Sequence, residues 1–291
     1  MPLRDMLAAL VAVTAFGTSF VAIKSGVEHM PPLLLTALRF LFAALPAILF
    51  VPPPRTRPVL VVAFGLAFGV GLFGAMFIAI KLGMPAGLAA IVVQLQVFFT
   101  MGLAWLLDRE RPGHEQMAGA VIALVGMGLI GWQRFAGAAT LPFFLVLAAA
   151  GFWAFANFVS KRAGASDRLA LVVWGSLVAA PVLIGLSLLI EGSEAVAAAL
   201  LPPAWSAVAS VVFMAYPATL LAFSIWTTLL SRYPTPVVAP FALLIPVVGL
   251  LSTHMAFGER LAPLEVVASG LILIGLLVGL RGASLPRPSS P

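Results

Sequence analysis

Apolar runs, each about as long as a bilayer crossing and separated by short clusters of charge, proline and glycine, cover almost the whole 291-residue chain. A helix needs about 20 apolar residues to cross the hydrocarbon core. Scanning windows of about 19 residues places ten such helices near 5–24, 33–51, 59–80, 85–107, 114–132, 141–161, 168–190, 204–230, 235–256 and 262–280. The predicted fold is an all-α integral membrane protein of ten transmembrane helices. The first run, after Met1-Pro-Leu-Arg4, starts like an export signal, but it continues past Ala15 to Ile23 and is expected to be a retained span. The polar, proline-rich tail 284–291 is expected to be disordered.

Composition adds the same constraint. Hydrophobic residues make up 62% of the chain and charged residues 9%, against about 25% charged in soluble domains. The net charge of +6 could suggest nucleic acid, but in a membrane chain the basic residues report loop orientation instead. With a cytoplasmic N-terminus, Arg4, Arg55, Arg57, Arg109, Arg111, Lys161, Arg162, Arg168, Arg232, Arg281 and Arg287 fall inside, and only Lys24, Lys81, Arg134 and Arg260 fall outside. That asymmetry predicts a multi-pass membrane protein with both termini cytoplasmic. Arg39 alone lies within a span, where snorkelling or contact with main-chain carbonyls would account for it. Cysteine is absent, which excludes thiolate catalysis and disulfides. His29, His114 and His254 are too far apart in sequence for a zincin-type metal site, and no glycine-rich phosphate loop precedes a Lys-Ser or Lys-Thr pair. Neither a metal, a cofactor, an ATPase subunit nor a nucleic acid is implied.

The ten spans divide into halves. An offset of 149 aligns Pro85 with Pro234, Glu110 with Glu259, Arg111 with Arg260 and Gly126 with Gly275; an offset of 137 sets Phe16 and Lys24 against Trp153 and Lys161. Residues 1–135 and 136–283 are therefore expected to be five-helix repeats, and an odd number of crossings inverts the second relative to the first. In carriers built this way the substrate lies near the midplane between the halves.

Polar groups in mid-span mark a cavity or a helix contact. Gln94 and Gln96 lie about 15 Å along the fourth span at 1.5 Å per residue, and a two-residue separation turns them about 200° apart. One is expected to face the cavity, the other to bond a neighbouring helix; bonding of both between helices is the alternative. Gln94 shares its face with Phe98, and Gln96 with Thr100. Trp153 and Asn157 stand four apart, a ring beside an amide, which suits a small zwitterion or, equally, a packed helix contact. Thr18 and Ser19 offer hydroxyls. Phe73 and Phe77 fit packing better than recognition. Tyr216, before Pro217, offers a hydroxyl beside a freed carbonyl, or only a kink. Pro240 and Pro246 mark the ninth span as the irregular member of its pair with the fourth, either a gate or a fixed kink. Glu110 and Glu259 are expected to cap the following helix or pair with the adjacent arginine, and Lys24 to anchor its helix end.

The segments HMPPLLLTALRF (29–40), GMPAGLAAIVVQLQVFFT (83–100), WTTLLSRY (226–233), VAPFALLIPVVGL (238–250) and FGERL (257–261) resemble the EamA branch of the drug/metabolite transporter superfamily, most closely its bacterial exporters of O-acetylserine and cysteine pathway metabolites. The resemblance implies two five-helix halves, cytoplasmic ends and export of small amino-acid-like compounds. Every Asp and Glu lies at or near a helix end, so no mid-span carboxylate is available for proton or sodium coupling. An exchanger of phosphorylated or nucleotide-linked metabolites would need several cavity-facing cations. A sensor that transports nothing is the remaining alternative. An intramembrane enzyme would need a nucleophile beside a base, and Ser252 and His254, two apart on one helix, point in different directions.

Overall fold

The computed structural model describes residues 1–109, 112–136, 140–164, 168–233, 238 and 241–283, and all of the regular structure among them is helical. Six helices are long and apolar enough to cross a membrane, and four shorter apolar helices fall on the remaining predicted segments. In chain order they are α1 (Leu3–His29), α2 (Pro32–Ala47), α3 (Pro58–Lys81), α4 (Ala86–Leu107), α5 (His114–Ala136), α6 (Thr140–Ala163), α7 (Arg168–Glu191), α8 (Trp205–Leu229), α9 (Leu244–Phe257) and α10 (Pro263–Ala283). A short additional helix, Ser193–Leu200, follows α7. The large apolar side chains left exposed, among them Leu106, Trp132, Leu189 and Met255, have lipid as their solvent, which is why so little polar surface is needed. The tail 284–291 lies outside the described residues.

The packing pattern survives exchange of each helix with the one five places on. α5 packs on α10 and α2 on α7; α1 meets α8 and α9 as α6 meets α3 and α4; α4 and α9 pack on each other. The α5–α10 contact shows this atom by atom. A Cβ on Gly119 would lie 2.4 Å from the Gly275 carbonyl, and one on Gly126 would lie 2.6 Å from that of Ala268. Under the 149-residue offset these are the same contact seen from its two sides. Only residues this small let two backbones approach so closely.

Irregularities recur at matched positions too. α3 widens to π-helix over Leu66–Gly74 and α8 over Met214–Leu221, segments that begin 148 residues apart. In α8 the cause is Pro217, which has no N–H to donate. The turn after α4 has Arg109 in left-handed conformation (φ 55°), and the turn after α9 has Gly258 there (φ 67°), 149 residues on.

The expectation that α9 alone is irregular needs correction. α4 tightens to a 3-10 turn over Val93–Leu95 without any proline, around Gln94. α9 begins after a break at Leu243, the position that the offset pairs with Gln94. Pro246 is buried in the first turn of α9, where its missing N–H costs no hydrogen bond and its ring disfavours continuation from the preceding residues. Pro240 lies outside the described residues.

Candidate functional site

The two α4 glutamines separate as their spacing requires. Gln96 turns to α6, where Asn157 Nδ2 donates to its Oε1 (2.7 Å) and to Thr100 Oγ1 (3.3 Å). Thr100 in turn donates to the Gln96 carbonyl (2.7 Å). This three-residue link ties α4 to α6, and Trp153 packs one turn before Asn157, half-buried against the apolar core. Gln94 is 6% exposed, in the 3-10 turn, and takes no part in this link. Phe98, one turn after Gln94, lies against Gly279 of α10.

The hydroxyls of α1 are turned inward on their own helix. Thr18 donates to the Thr14 carbonyl (2.7 Å) and Ser19 to that of Phe16. Tyr216 is 39% exposed and does not join the polar groups of the interior. The hydroxyl that matters in that π segment is Thr219, which is buried and donates to the Met214 carbonyl (2.7 Å).

Arg39 departs furthest from expectation. It does not snorkel. The side chain is 2% exposed, its Nε and Nη2 share Thr219 Oγ1 as acceptor (3.3 and 3.2 Å), and its guanidinium lies 3.9 Å from the centre of the Phe73 ring. Snorkelling needs a route to water along the helix, and the packing of α2 against α7 and α8 closes it. From Phe73 a path of ring contacts runs on through Phe68 (5.1 Å) and Phe223 (5.9 Å) to Phe16 (5.0 Å) and Trp226 (6.4 Å). It crosses from α3 to α8 and α1, and so from one half of the molecule to the other. Phe77 is fully buried in packing, as expected. Arg39 and Thr219 were missed as site residues, although a charge inside a span is by itself a pointer to function.

The predicted outer end is tied shut between the halves. Lys24 donates to Glu259 Oε1 (2.6 Å) and lies over the Phe257 ring. The same carboxylate accepts the Ala86 and Gly87 amides at the start of α4 (3.2 and 3.1 Å). Glu191 likewise accepts the Leu33 and Leu34 amides at the start of α2 (2.7 and 3.2 Å). Both acids thus cap a helix of the other half, where the dipole and free N–H groups favour negative charge. Glu259 therefore neither caps α10 nor pairs with Arg260; Glu265 caps α10 through the Ala262 amide (2.9 Å). Burial pushes the Glu259 carboxyl up, but the Lys24 hydrogen bond and the two amides outweigh it and hold it below the usual carboxylate range. His254 is exposed at this end, with Nδ1 2.7 Å from the Glu259 carbonyl. Glu110 lies outside the described residues.

Broken helices meeting across two halves, with amides, one cation and aromatic rings between them, define a multi-pass membrane protein of the carrier type. The profile of the EamA-like transporter family matches residues 3–132 and again 140–281, and the chain belongs to that family. It is 40% identical to a probable amino-acid metabolite efflux pump of Salmonella typhimurium (strain LT2), over 98% of this chain and 97% of that one. With a protein of the same description from Escherichia coli (strain K12) it shares 38% identity, over 96% and 95%. A solved crystal structure 25% identical to it superposes with a TM-score of 0.66, covering 98% of this chain and 100% of that one. The family is one of transporters rather than enzymes.

Proposed function

We propose that the protein exports small neutral or zwitterionic metabolites across the bacterial inner membrane, amino acids and O-acetylserine- or cysteine-like compounds first. Two inverted five-helix repeats rock about the midplane, with both termini in the cytoplasm. The exchange-symmetric packing, the paired breaks in α4 and α9 and the basic residues gathered at one set of helix ends support this arrangement. The observation that carries the substrate class is the chemistry at mid-depth. Gln94, the Gln96–Thr100–Asn157 link, Trp153 and the ring path provide amides, hydroxyls and apolar faces, with Arg39 as the single intraspan cation. The two bacterial relatives, both probable amino-acid metabolite efflux pumps, point the same way. Phosphorylated cargo lacks the several cations it needs.

Each half presents one broken helix, so the same interior groups face alternate sides as the outer ties of Glu259 and Glu191 form and release. No carboxylate is needed at mid-depth, and transport is expected to run without obligatory proton coupling. In proteoliposomes, Gln94→Leu is expected to reduce amino-acid metabolite exchange severalfold and Arg134→Gln to leave it near the starting rate. Equal effects would remove Gln94 from the site.

A further inference from the structure

We propose that Arg39 is the binding site for the carboxylate of the transported compound. The inference rests on the function proposed above and specifies what holds the acidic end of the substrate. An arginine offers five N–H donors and no acceptor. Here Nε and Nη2 both point at one hydroxyl at long range, and Nη1 is buried with no hydrogen-bond partner. Among the described residues no Asp or Glu pairs with it; the acids Glu259 and Asp5 pair instead with Lys24 and Arg232, at helix ends. A buried cation this poorly matched is costly.

A purely structural tie between α2 and α8 would not require it, because a neutral donor in this place would reach Thr219 without desolvating a charge. The missing partner is a planar anion, and a carboxylate fills it by accepting two parallel N–H bonds. The surroundings suit such a ligand. Arg39 lies seven residues into α2 and Gln94 eight residues into α4, helices that both start at the predicted outer end. Both groups therefore sit about 10–12 Å deep. Phe73, half-buried, covers the guanidinium, and its ring must turn aside to admit the ligand. The Thr219 hydroxyl is then released from Arg39 while keeping its bond to Met214 in the π segment, so occupancy at Arg39 is felt in both halves.

The test compares acids with their own primary amides. Wild-type protein in proteoliposomes exchanges a labelled amino-acid metabolite, and unlabelled O-acetylserine, a neutral amino acid, the primary amide of each, and acetate alone compete. The acids are expected to compete at least about tenfold better than their amides, the range for a charge-assisted bidentate bond, and acetate hardly at all. In Arg39→Gln the acid and amide should become equivalent, whereas Thr219→Val, which leaves the guanidinium in place, should keep the preference for the acid. Amides that compete as well as acids with the wild type would overturn the proposal while leaving amino-acid transport intact, and this comparison decides even if Arg39→Gln fails to fold. Acetate as effective as the whole compound would make Arg39 a general anion site and also overturn it. If no amino-acid compound exchanges at all, the functional reading fails together with it.

Discussion

Single polar side chains in this bundle divide into those that hold helices together and those left open. Gln96, Thr100 and Asn157 satisfy one another, so removing one member strands the rest. Asn157→Leu is expected to destabilise the protein by roughly 1 kcal/mol, the net worth of a part-buried side-chain hydrogen bond. The double replacement Gln96→Leu with Asn157→Leu should recover much of the loss, as read by thermal unfolding in detergent. Gln94 makes no such bond, and its replacement is expected to alter transport with little change in unfolding temperature. The separation of Gln94 from Gln96 was legible in the sequence, because helical geometry sets residues two apart on different faces. Their destinations were not, since those depend on which helix of the other half lies alongside. For Arg39 the residue identity was the signal, but neither of the two accommodations expected of it, snorkelling or main-chain carbonyl contact, pointed to its tertiary partner, Thr219, 180 residues away.

At the scale of helices, the outer tie through Glu259 is an electrostatic contact between α1, α4 and the turn before α10. Its carboxyl is held below its ordinary value, so the stabilisation is present above the usual carboxylate range and is lost only as pH falls through the depressed value. Because the chain has no cysteine, a single Met84→Cys replacement, at a buried position two residues before α4, reports opening directly. Labelling by a membrane-impermeant maleimide should be slow and nearly flat from about pH 8 to about pH 5 once the reagent's own pH dependence is corrected. It should rise severalfold when Glu259→Gln is added. A rise between about pH 7 and pH 6 in the parent would show that another group holds this end. The small-residue contact of α5 with α10 supplies a second check. Gly119→Ala and Gly275→Ala each place a methyl against the facing carbonyl, at 2.4 and 2.5 Å, so both should cost about 1–3 kcal/mol and lower the unfolding temperature to a similar extent. Helix positions were readable from hydropathy, but α2 and α9, at 16 and 14 residues, are shorter than the predicted 33–51 and 235–256. The 3-10 turn in α4 was not readable, because no proline or glycine marks it.

For the whole molecule, scarcity of charge decides both the solvent and the chemistry. Glu191 and Glu259 cap helices of the other half at the predicted outer end, the bases collect mainly at the other end, and one cation remains inside. This arrangement leaves a polar but nearly uncharged interior between two halves that pack by exchange symmetry. The repeat was visible in sequence through a handful of aligned positions, and the contacts of Gly119 with Gly275 and of Gly126 with Ala268 give that offset a physical meaning. The substrate class was not visible in composition or spacing; it came from resemblance. The most direct measurement is therefore counterflow by the purified protein in proteoliposomes, with a panel of amino acids, their O-acetylated and thiol relatives, sugar phosphates and nucleotides, with and without an imposed pH gradient. The account predicts exchange of the amino-acid compounds that persists after the gradient is collapsed, with phosphorylated compounds inert. Preferential movement of phosphorylated compounds, or exchange that disappears without the gradient, would contradict it.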